Sequence, residues 1–212
     1  MVLYDFLAPA YDLAFEKIYR PFRARALEAF PLSAGATVLD LACGTGQNFP
    51  LVAERVGGQG RIIGVDISSG MLKRARRRVV PSKISLINLD AAALSSTRLE
   101  EQTRISSVDF ILCTYGLTSM RDWKAAFHAS WELLKPGGGY LIHDIAAEQR
   151  TLHVCAVETI TRSNFCEQVW RPLQESSSDF RMDYLDPSAH LFGGRLFVAH
   201  GTKPFTSSPC PS

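Results

Sequence analysis

No stretch of the 212-residue sequence is long and apolar enough to cross a membrane as a helix. The longest run without a charged side chain, Leu41 to Ala53, is 13 residues and carries Gly, Thr, Gln and Asn, whereas a spanning helix needs roughly 18 apolar residues. Cysteine is scarce and poorly spaced for bridging: Cys43, Cys113, Cys155, Cys166 and Cys210 form no CxxC pair and are odd in number. Neither a disulfide framework nor a zinc site fits, so no metal is expected and reduced thiols in a cytoplasmic protein fit best. Neither sign of charge dominates. The 23 basic and 21 acidic residues leave +2, which is too even for a nucleic-acid binder. A secretory leader is not expected either, because Asp5 and Asp12 stand where a basic patch and an unbroken apolar core would be. At 46% hydrophobic and 21% charged residues the composition excludes global disorder and low-complexity chains.

What the chain does have is a repeated alternation. Short aliphatic runs at Ala36–Leu41, Arg61–Asp66, Ile84–Asn88, Val108–Cys113 and Tyr140–His143 are interleaved with helical stretches, reaching to about Val56, from about Gly70 to Val79, and around Asp122 to Leu134. Continuous apolar strands alternating with helices imply a parallel sheet covered on both faces. Phe180–Leu185 and Arg195–His200 follow one another with no room for a helix, so they form an antiparallel pair at one sheet edge. The expectation is one α/β domain, residues 1–202, with a Rossmann-like, seven-stranded, mostly parallel sheet and an antiparallel last strand. Residues 1–32 would be a helical lid, 33–202 the core and 203–212 a flexible tail. Within the lid, Leu7, Tyr11, Phe15, Ile18, Tyr19 and Phe22 recur at helical spacing, and Pro21 is expected to end or kink that helix near Arg20.

The strongest motif is Val38-Leu39-Asp40-Leu41-Ala42-Cys43-Gly44-Thr45-Gly46, a strand running into a glycine turn and a helix. Glycines there let backbone approach a ligand where a Cβ would collide. A dinucleotide fingerprint would need a third glycine, and Phe49 occupies that position, which argues against NAD. Asp66 ends the second strand and suits two vicinal ribose hydroxyls. Asp90 ends the third and suits an adenine amino edge. Each acid alone is as readily a helix cap. Together, at the carboxyl ends of neighbouring parallel strands, they mark where open α/β sheets bind ligands.

At these residues the chain resembles the class I S-adenosylmethionine-dependent methyltransferases, over roughly Tyr4 to Ile145. The match takes in the Asp40–Gly46 loop, Ile63-Gly64-Val65-Asp66-Ile67-Ser68 with Met71-Leu72, Asp90-Ala91, and Leu134-Lys135-Pro136-Gly137-Gly138-Gly139. The resemblance implies S-adenosylmethionine as cofactor. Gly44 and Gly46 would run beside its methionine part, with Ala42 replacing the family's usual first glycine and Asp40 orienting the loop or the amino group. Asp66 would hold the ribose, Ile67 and Met71 would sandwich the adenine, Asp90 and Ala91 would meet its amino edge, and Thr114 would lie near the methyl group. Tyr4-Asp5 and Tyr11-Asp12 are similar to the opening of the quinone and phospholipid branches, in which a helix lids the pocket, so Tyr11 or Tyr19 would cover the cofactor. Helix-face packing is the alternative role for both tyrosines.

Methyl transfer from a sulfonium is a direct displacement needing alignment in a dry pocket more than a dedicated catalytic group. The catalytic candidates are Tyr115, His143 and Asp144, with His143-Asp144 a possible base for an amine or phenol, or else simply satisfied polar groups at a sheet edge. Lys73–Arg78 and the cluster Lys17, Arg20, Arg23 and Arg25 are the charge concentrations, read as solvated faces or as attraction to anionic lipid. Three classes remain open: a methyltransferase of a small molecule or lipid, an NAD-dependent oxidoreductase, and a non-catalytic cofactor-binding subunit. Within the first, phospholipid headgroup amines or quinone precursors are the expected acceptors, with a soluble small molecule as alternative. Peripheral membrane contact would come through Phe6, Leu7 and Phe22 and through Lys17, Arg20 and Arg23.

Overall fold

The computed structural model describes residues 18–28, 30–78, 80, 82–185 and 194–205. Tyr4, Asp5, Phe6, Leu7, Tyr11, Asp12, Phe15 and Lys17 lie outside the described residues, as do Cys210 and the rest of 206–212. A helix through residues 18–28 (α1) is followed by β1 (Thr37–Leu41), α2 (Phe49–Val56), β2 (Arg61–Asp66), α3 (Ser69–Ala75) and β3 (Lys83–Asn88). Then come α4 (Ser96–Thr103), β4 (Val108–Thr114), α5 (Trp123–Leu133), β5 (Leu134–Ala146), α6 (Leu152–Thr161), α7 (Arg171–Ser176), β6 (Arg181–Tyr184) and β7 (Arg195–Thr202).

The seven strands form one sheet in the order β3-β2-β1-β4-β5-β7-β6. β1 through β5 pair in parallel, and β7 is antiparallel to both β5 and β6. This is the expected architecture. Its physical basis is visible in how the buried side chains divide. Successive residues of a strand face opposite sides, and Leu39, Leu41, Ile111, Cys113, Tyr140 and Ile142 belong to one apolar cluster. Val38, Leu112, Leu141 and Ile145 belong to the other. The first cluster is closed by α5 through Phe127 and Trp131, the second by α1 and α2 through Ala26, Leu27, Phe49 and Val52. Strands buried on both faces must be apolar throughout, and that made them readable.

Three boundaries differ from expectation. The described helix α1 runs from residue 18 through Pro21 to residue 28, with Pro21 in its first turn, where its missing N–H breaks no described helical bond, and with Tyr19, Ala26 and Leu27 buried on the sheet. β5 is 13 residues long and starts inside Leu134-Lys135-Pro136-Gly137. A register shift between Val108 and Phe110 accommodates the glycines. Lys203 is tied down: its N–H donates to the Gly138 carbonyl at 2.9 Å, and its carbonyl accepts from Gly137 N–H at 2.8 Å.

The strand order reverses direction between β1 and β4. Connections leave on opposite sides there, so a crevice opens at the carboxyl ends of these two strands.

Candidate functional site

β1 delivers Asp40 and the glycine loop to that crevice. Ala42, Gly44 and Gly46 have φ of 51°, 55° and 76°, so the loop turns three times through left-handed backbone. At Gly46 any side chain is excluded, since a Cβ would lie 2.6 Å from the Phe49 ring. Phe49 is fully buried and fills the space beneath the loop, also against Gly64 of β2. The residue that breaks the dinucleotide fingerprint is thus the floor of the loop. Ala42 takes the same backbone region with a Cβ, at a cost of roughly 1 kcal/mol.

Asp40 is completely buried beside Gly64 and Leu112 of the flanking strands. Its Oδ1 accepts from Asn48 Nδ2 at 2.9 Å, while its Oδ2 has no hydrogen-bond partner. Burial raises its pKa to about 7, against the lowering effects of Asn48 and the Arg23 charge. Asn48 Nδ2 also donates to Thr114 Oγ1 at 3.0 Å, tying the ends of β1 and β4 together. Asn48 stands at the cap position of α2 without capping it. Its side chain is turned inward instead, a role that sequence reading missed and that only a polar residue next to the loop hinted at.

Asp66 closes the adjacent strand end. Its Oδ2 accepts from Gly44 N–H and its Oδ1 from Ser68 N–H, both at 2.8 Å, so it holds the loop and opens α3 at once. Ile67 beside it is 53% exposed, an apolar surface facing outward next to a carboxylate. Met71 is buried beneath, so the two do not present matching walls. Asp90 is exposed, its Oδ1 accepting from Ala92 N–H at 3.0 Å to cap a short turn in which Ala91 is buried. The basic run does not form one helical face: α3 ends at Ala75, and Arg78 Nε donates to the Thr45 carbonyl of the loop at 2.7 Å.

A second cluster sits where β4 and β5 end. The rings of Tyr19 and Tyr115 lie 4.5 Å apart, and the Arg23 guanidinium lies 4.9 Å from the centre of the Tyr115 ring. Arg23 is buried and so is not available to lipid phosphates. Tyr115 Oη lies 2.6 Å from His143 Nε2. Burial and the Arg23 charge lower the His143 pKa to about 4, despite the hydrogen bond to Phe197. Asp144 lies on the other sheet face, accepting from Thr118 Oγ1 at 2.7 Å and from its own neighbour Ile145 N–H at 2.9 Å. Burial nonetheless raises its pKa to about 6. His143 and Asp144 are therefore no acid–base pair: adjacent strand residues point apart. Among the described residues no group of His, Cys, Asp and Glu could hold a metal ion.

A parallel sheet with a glycine turn on its first strand and acids on the next strand ends defines a nucleoside-cofactor α/β protein. Comparison with known proteins narrows the class. A family model described as a methyltransferase domain matches residues 38–138. The 2-phytyl-1,4-naphtoquinone methyltransferase of Thermosynechococcus vestitus is 30% identical over 195 residues, covering 90% of this chain and 82% of that protein. The demethylmenaquinone methyltransferase of Listeria monocytogenes is 26% identical over 141 residues, 64% of this chain and 57% of its own length, so the chain matches little more than half of that relative. Among solved structures, the DhpI complex with SAH has a TM-score of 0.66 at 19% identity, covering 96% of this chain and 95% of that one. Phosphoethanolamine N-methyltransferase 2 of Haemonchus contortus has a TM-score of 0.70 at 15% identity, covering 95% and 58%. The chain belongs to the class I S-adenosylmethionine-dependent methyltransferases, and within them it resembles the quinone-biosynthesis branch. Its cofactor is S-adenosylmethionine.

Proposed function

We propose that this enzyme transfers the methyl group to a hydroxylated aromatic ring of the quinone-precursor kind, at the carboxyl ends of β4 and β5. The observation that carries this reading is the tilted ring pair Tyr19–Tyr115, with centroids 4.5 Å apart, an aromatic surface at the strand ends against which a planar ring can pack. The names of the two quinone methyltransferase relatives support the same acceptor.

The residues present fit the cofactor. The sulfonium supplies an electrophilic methyl group, and the chain's task is to bind and align. Asp40 Oδ2, buried and without a partner, suits the cofactor's ammonium, and Gly44 and Gly46 leave room for its methionine part. Asp66, which accepts from Gly44 and Ser68 N–H, holds a carboxylate at the carboxyl end of β2, the place that suits the ribose hydroxyls. Ile67 covers one adenine face, with Asp90 and Ala91 at the amino edge, and Met71 backs the site from within the core. Thr114, Ala42 and Tyr19 line the remainder, while Tyr11 lies outside the described residues.

The enzyme works as a cytoplasmic protein that visits a membrane for a lipid-soluble acceptor. Support comes from α6, just past the carboxyl end of β5, where Leu152 is 92% and Ile160 is 72% exposed. Leu152, Ala156 and Ile160 recur every four residues and so share one side of the helix, with exposed Arg150 and Arg162 flanking it. Arg20 is exposed and Phe22 half-buried on α1. No described helix is long and apolar enough to cross a membrane.

The test is transfer of labelled methyl from S-adenosylmethionine, under anaerobic conditions, to 1,4-dihydroxynaphthalene and in parallel to phosphoethanolamine and extracted phospholipid. Label in the naphthalene ring system is expected. Label in the amines alone would overturn the reading. Co-sedimentation with anionic vesicles at low salt, lost in the double variant Leu152→Ser with Ile160→Ser, checks the membrane face.

A further inference from the structure

Asp144 is buried on the face of β5 opposite to His143, yet both residues grip the same stretch of chain. The His143 carbonyl accepts from Tyr115 N–H at 2.7 Å. The Asp144 carboxylate accepts from the short 3₁₀ turn Leu117–Ser119 that follows. Thr118 Oγ1 donates to Oδ1 at 2.7 Å and Thr118 N–H to Oδ2 at 3.2 Å, and the Leu117 N–H bonds the carboxylate as well. Ile145 N–H adds a bond at 2.9 Å. On its far side the turn is held by Asn164 N–H, which donates to the Thr118 carbonyl at 2.7 Å.

The groups that bond this carboxylate are all donors, so the position demands an acceptor-only side chain. An amide would set its own N–H against one of those donors and push the turn away. Between the turn and Tyr115 stands Gly116 alone, and it has no room to absorb a shift. A Cβ there would lie 2.8 Å from both the Ala42 Cβ and the Cys113 Sγ. Tyr115 itself is held at a φ of 55°, a region that persists for an aromatic residue only where its surroundings enforce it. A movement of the turn therefore reaches the Tyr115 ring and its contact with Tyr19.

We propose that Asp144 is a positioning residue for the methyl acceptor: by holding the Leu117–Thr118 turn on one face of the sheet, it sets the Tyr115 ring on the other. The proposal rests on the reading of the Tyr19–Tyr115 pair as the surface against which the acceptor packs. Only the ring of Tyr115 takes part, not its hydroxyl. The carboxylate is the form that holds the turn, since a protonated oxygen is itself a donor. Burial raises the Asp144 pKa from 3.8 to about 6, and no charged side chain contributes to that rise. β7 sets Phe197 opposite it, and the turn offers Leu117 and Thr118. The titratable group that feels its charge is the Cys113 thiol of β4, which burial and Asp144 keep protonated. Positioning of the acceptor is thus lost as pH falls through about 6.

The experiment compares wild type, Asp144→Asn and Leu99→Ala, the last a core truncation on α4. At saturating S-adenosylmethionine, kcat/KM for 1,4-dihydroxynaphthalene is expected to fall about ten- to a hundred-fold in Asp144→Asn, the scale of a misplaced reactant, with cofactor Kd within about twofold of wild type. Leu99→Ala should leave kcat/KM unchanged. Wild type should lose kcat/KM as pH drops through about 6, and Asp144→Asn should show no such step. A readout that needs no acceptor is the fluorine NMR signal of Tyr115 in fluorotyrosine-labelled protein saturated with S-adenosylhomocysteine, assigned through Tyr115→Phe. It should move with a midpoint near pH 6 in wild type and lose that step in Asp144→Asn. A kcat/KM in Asp144→Asn equal to that of Leu99→Ala, or a Tyr115 signal that titrates alike with and without Asp144, overturns the proposal. No methyl transfer to the diol by wild type, with the Tyr115 signal behaving as expected, overturns the acceptor reading alone and supports the hold of Asp144 on Tyr115. Should Asp144→Asn not fold, the wild-type profiles decide: a step near pH 6 supports the proposal and its absence overturns it.

Discussion

Replacing Asp40 by Asn should move stability and cofactor affinity in opposite directions at alkaline pH. The carboxyl has a pKa of about 7 in the folded protein against 3.8 for an exposed aspartate, because burial disfavours its charge. A group whose folded pKa is raised binds protons more tightly in the folded state, so stability falls as pH climbs from about 4 to 7. Keeping Asp40 ionised at pH 8 therefore costs the unliganded fold roughly 4 kcal/mol. Asparagine removes that cost but leaves an amide N–H where Oδ2 has no partner, worth about 1–3 kcal/mol against the variant. The net expectation is a gain of about 1–3 kcal/mol at pH 8 and a loss of similar size at about pH 3, where the wild-type carboxyl is neutral in the folded and the unfolded state alike. For a chain of this length each kcal/mol is about 2–4 °C in Tm, so melting curves at the two pH values should cross. Cofactor binding should weaken by roughly 10- to 150-fold, the value of a charge-assisted hydrogen bond. Wild-type affinity should itself tighten as pH rises toward 7, with a proton released on binding at lower pH. A variant less stable at both pH values, with unchanged cofactor affinity, would refute the argument and make Asp40 a purely structural residue.

Three further outcomes follow from the geometry. Gly46→Ala places a Cβ 2.6 Å from the Phe49 ring at a φ of 76°, and should cost about 2–4 kcal/mol in denaturant unfolding. Ala42→Gly relieves a left-handed alanine and should stabilise by about 0.5–1 kcal/mol in the same assay. The folded pKa of His143 is depressed to about 4 from 6.5, so its contribution to stability is lost as pH falls from 6.5 towards 4. Facing it are Tyr115, the Arg23 charge from α1 and the Phe197 carbonyl. The stability difference between wild type and His143→Phe should narrow by about 3 kcal/mol across that window in melts at stepped pH.

The sheet was legible because each central strand is apolar on both sides and each is followed by a helix or turn signal. The turn after β1 and the two strand-end acids were legible because glycines between a strand and a helix, and carboxylates closing neighbouring strands, are residue types whose positions carry meaning; their role toward the cofactor is the reading proposed above. The acceptor end was not. Tyr115 and His143 are 28 apart in sequence, and only the parallel pairing of β4 with β5, which sets Thr114 opposite His143, brings them together. The separation of His143 from Asp144 was available in principle from strand alternation, but β5 read as ending at His143 rather than Ala146, so both appeared to be terminal groups. Asn48 carried no signal in sequence beyond its place next to the loop, and its inward turn depends on the buried oxygens of Asp40 and Thr114. Arg23 reads as surface charge until α1 is seen to continue through Pro21 and carry it under the sheet end. The helices α4, α6 and α7 follow no strong apolar stripe. The apolar side of α6 faces outward, the reverse of the pattern by which helices are recognised.

The most direct test of the account is a calorimetric titration of S-adenosylmethionine into wild type and Asp66→Ala. Asp66 joins the glycine loop to the start of α3 through Gly44 and Ser68, and in the proposed reading it is the acceptor for the ribose. The account predicts one-to-one binding in wild type, weakened by about 1–3 kcal/mol in the variant. No binding to wild type, or equal affinity in the two proteins, would contradict it.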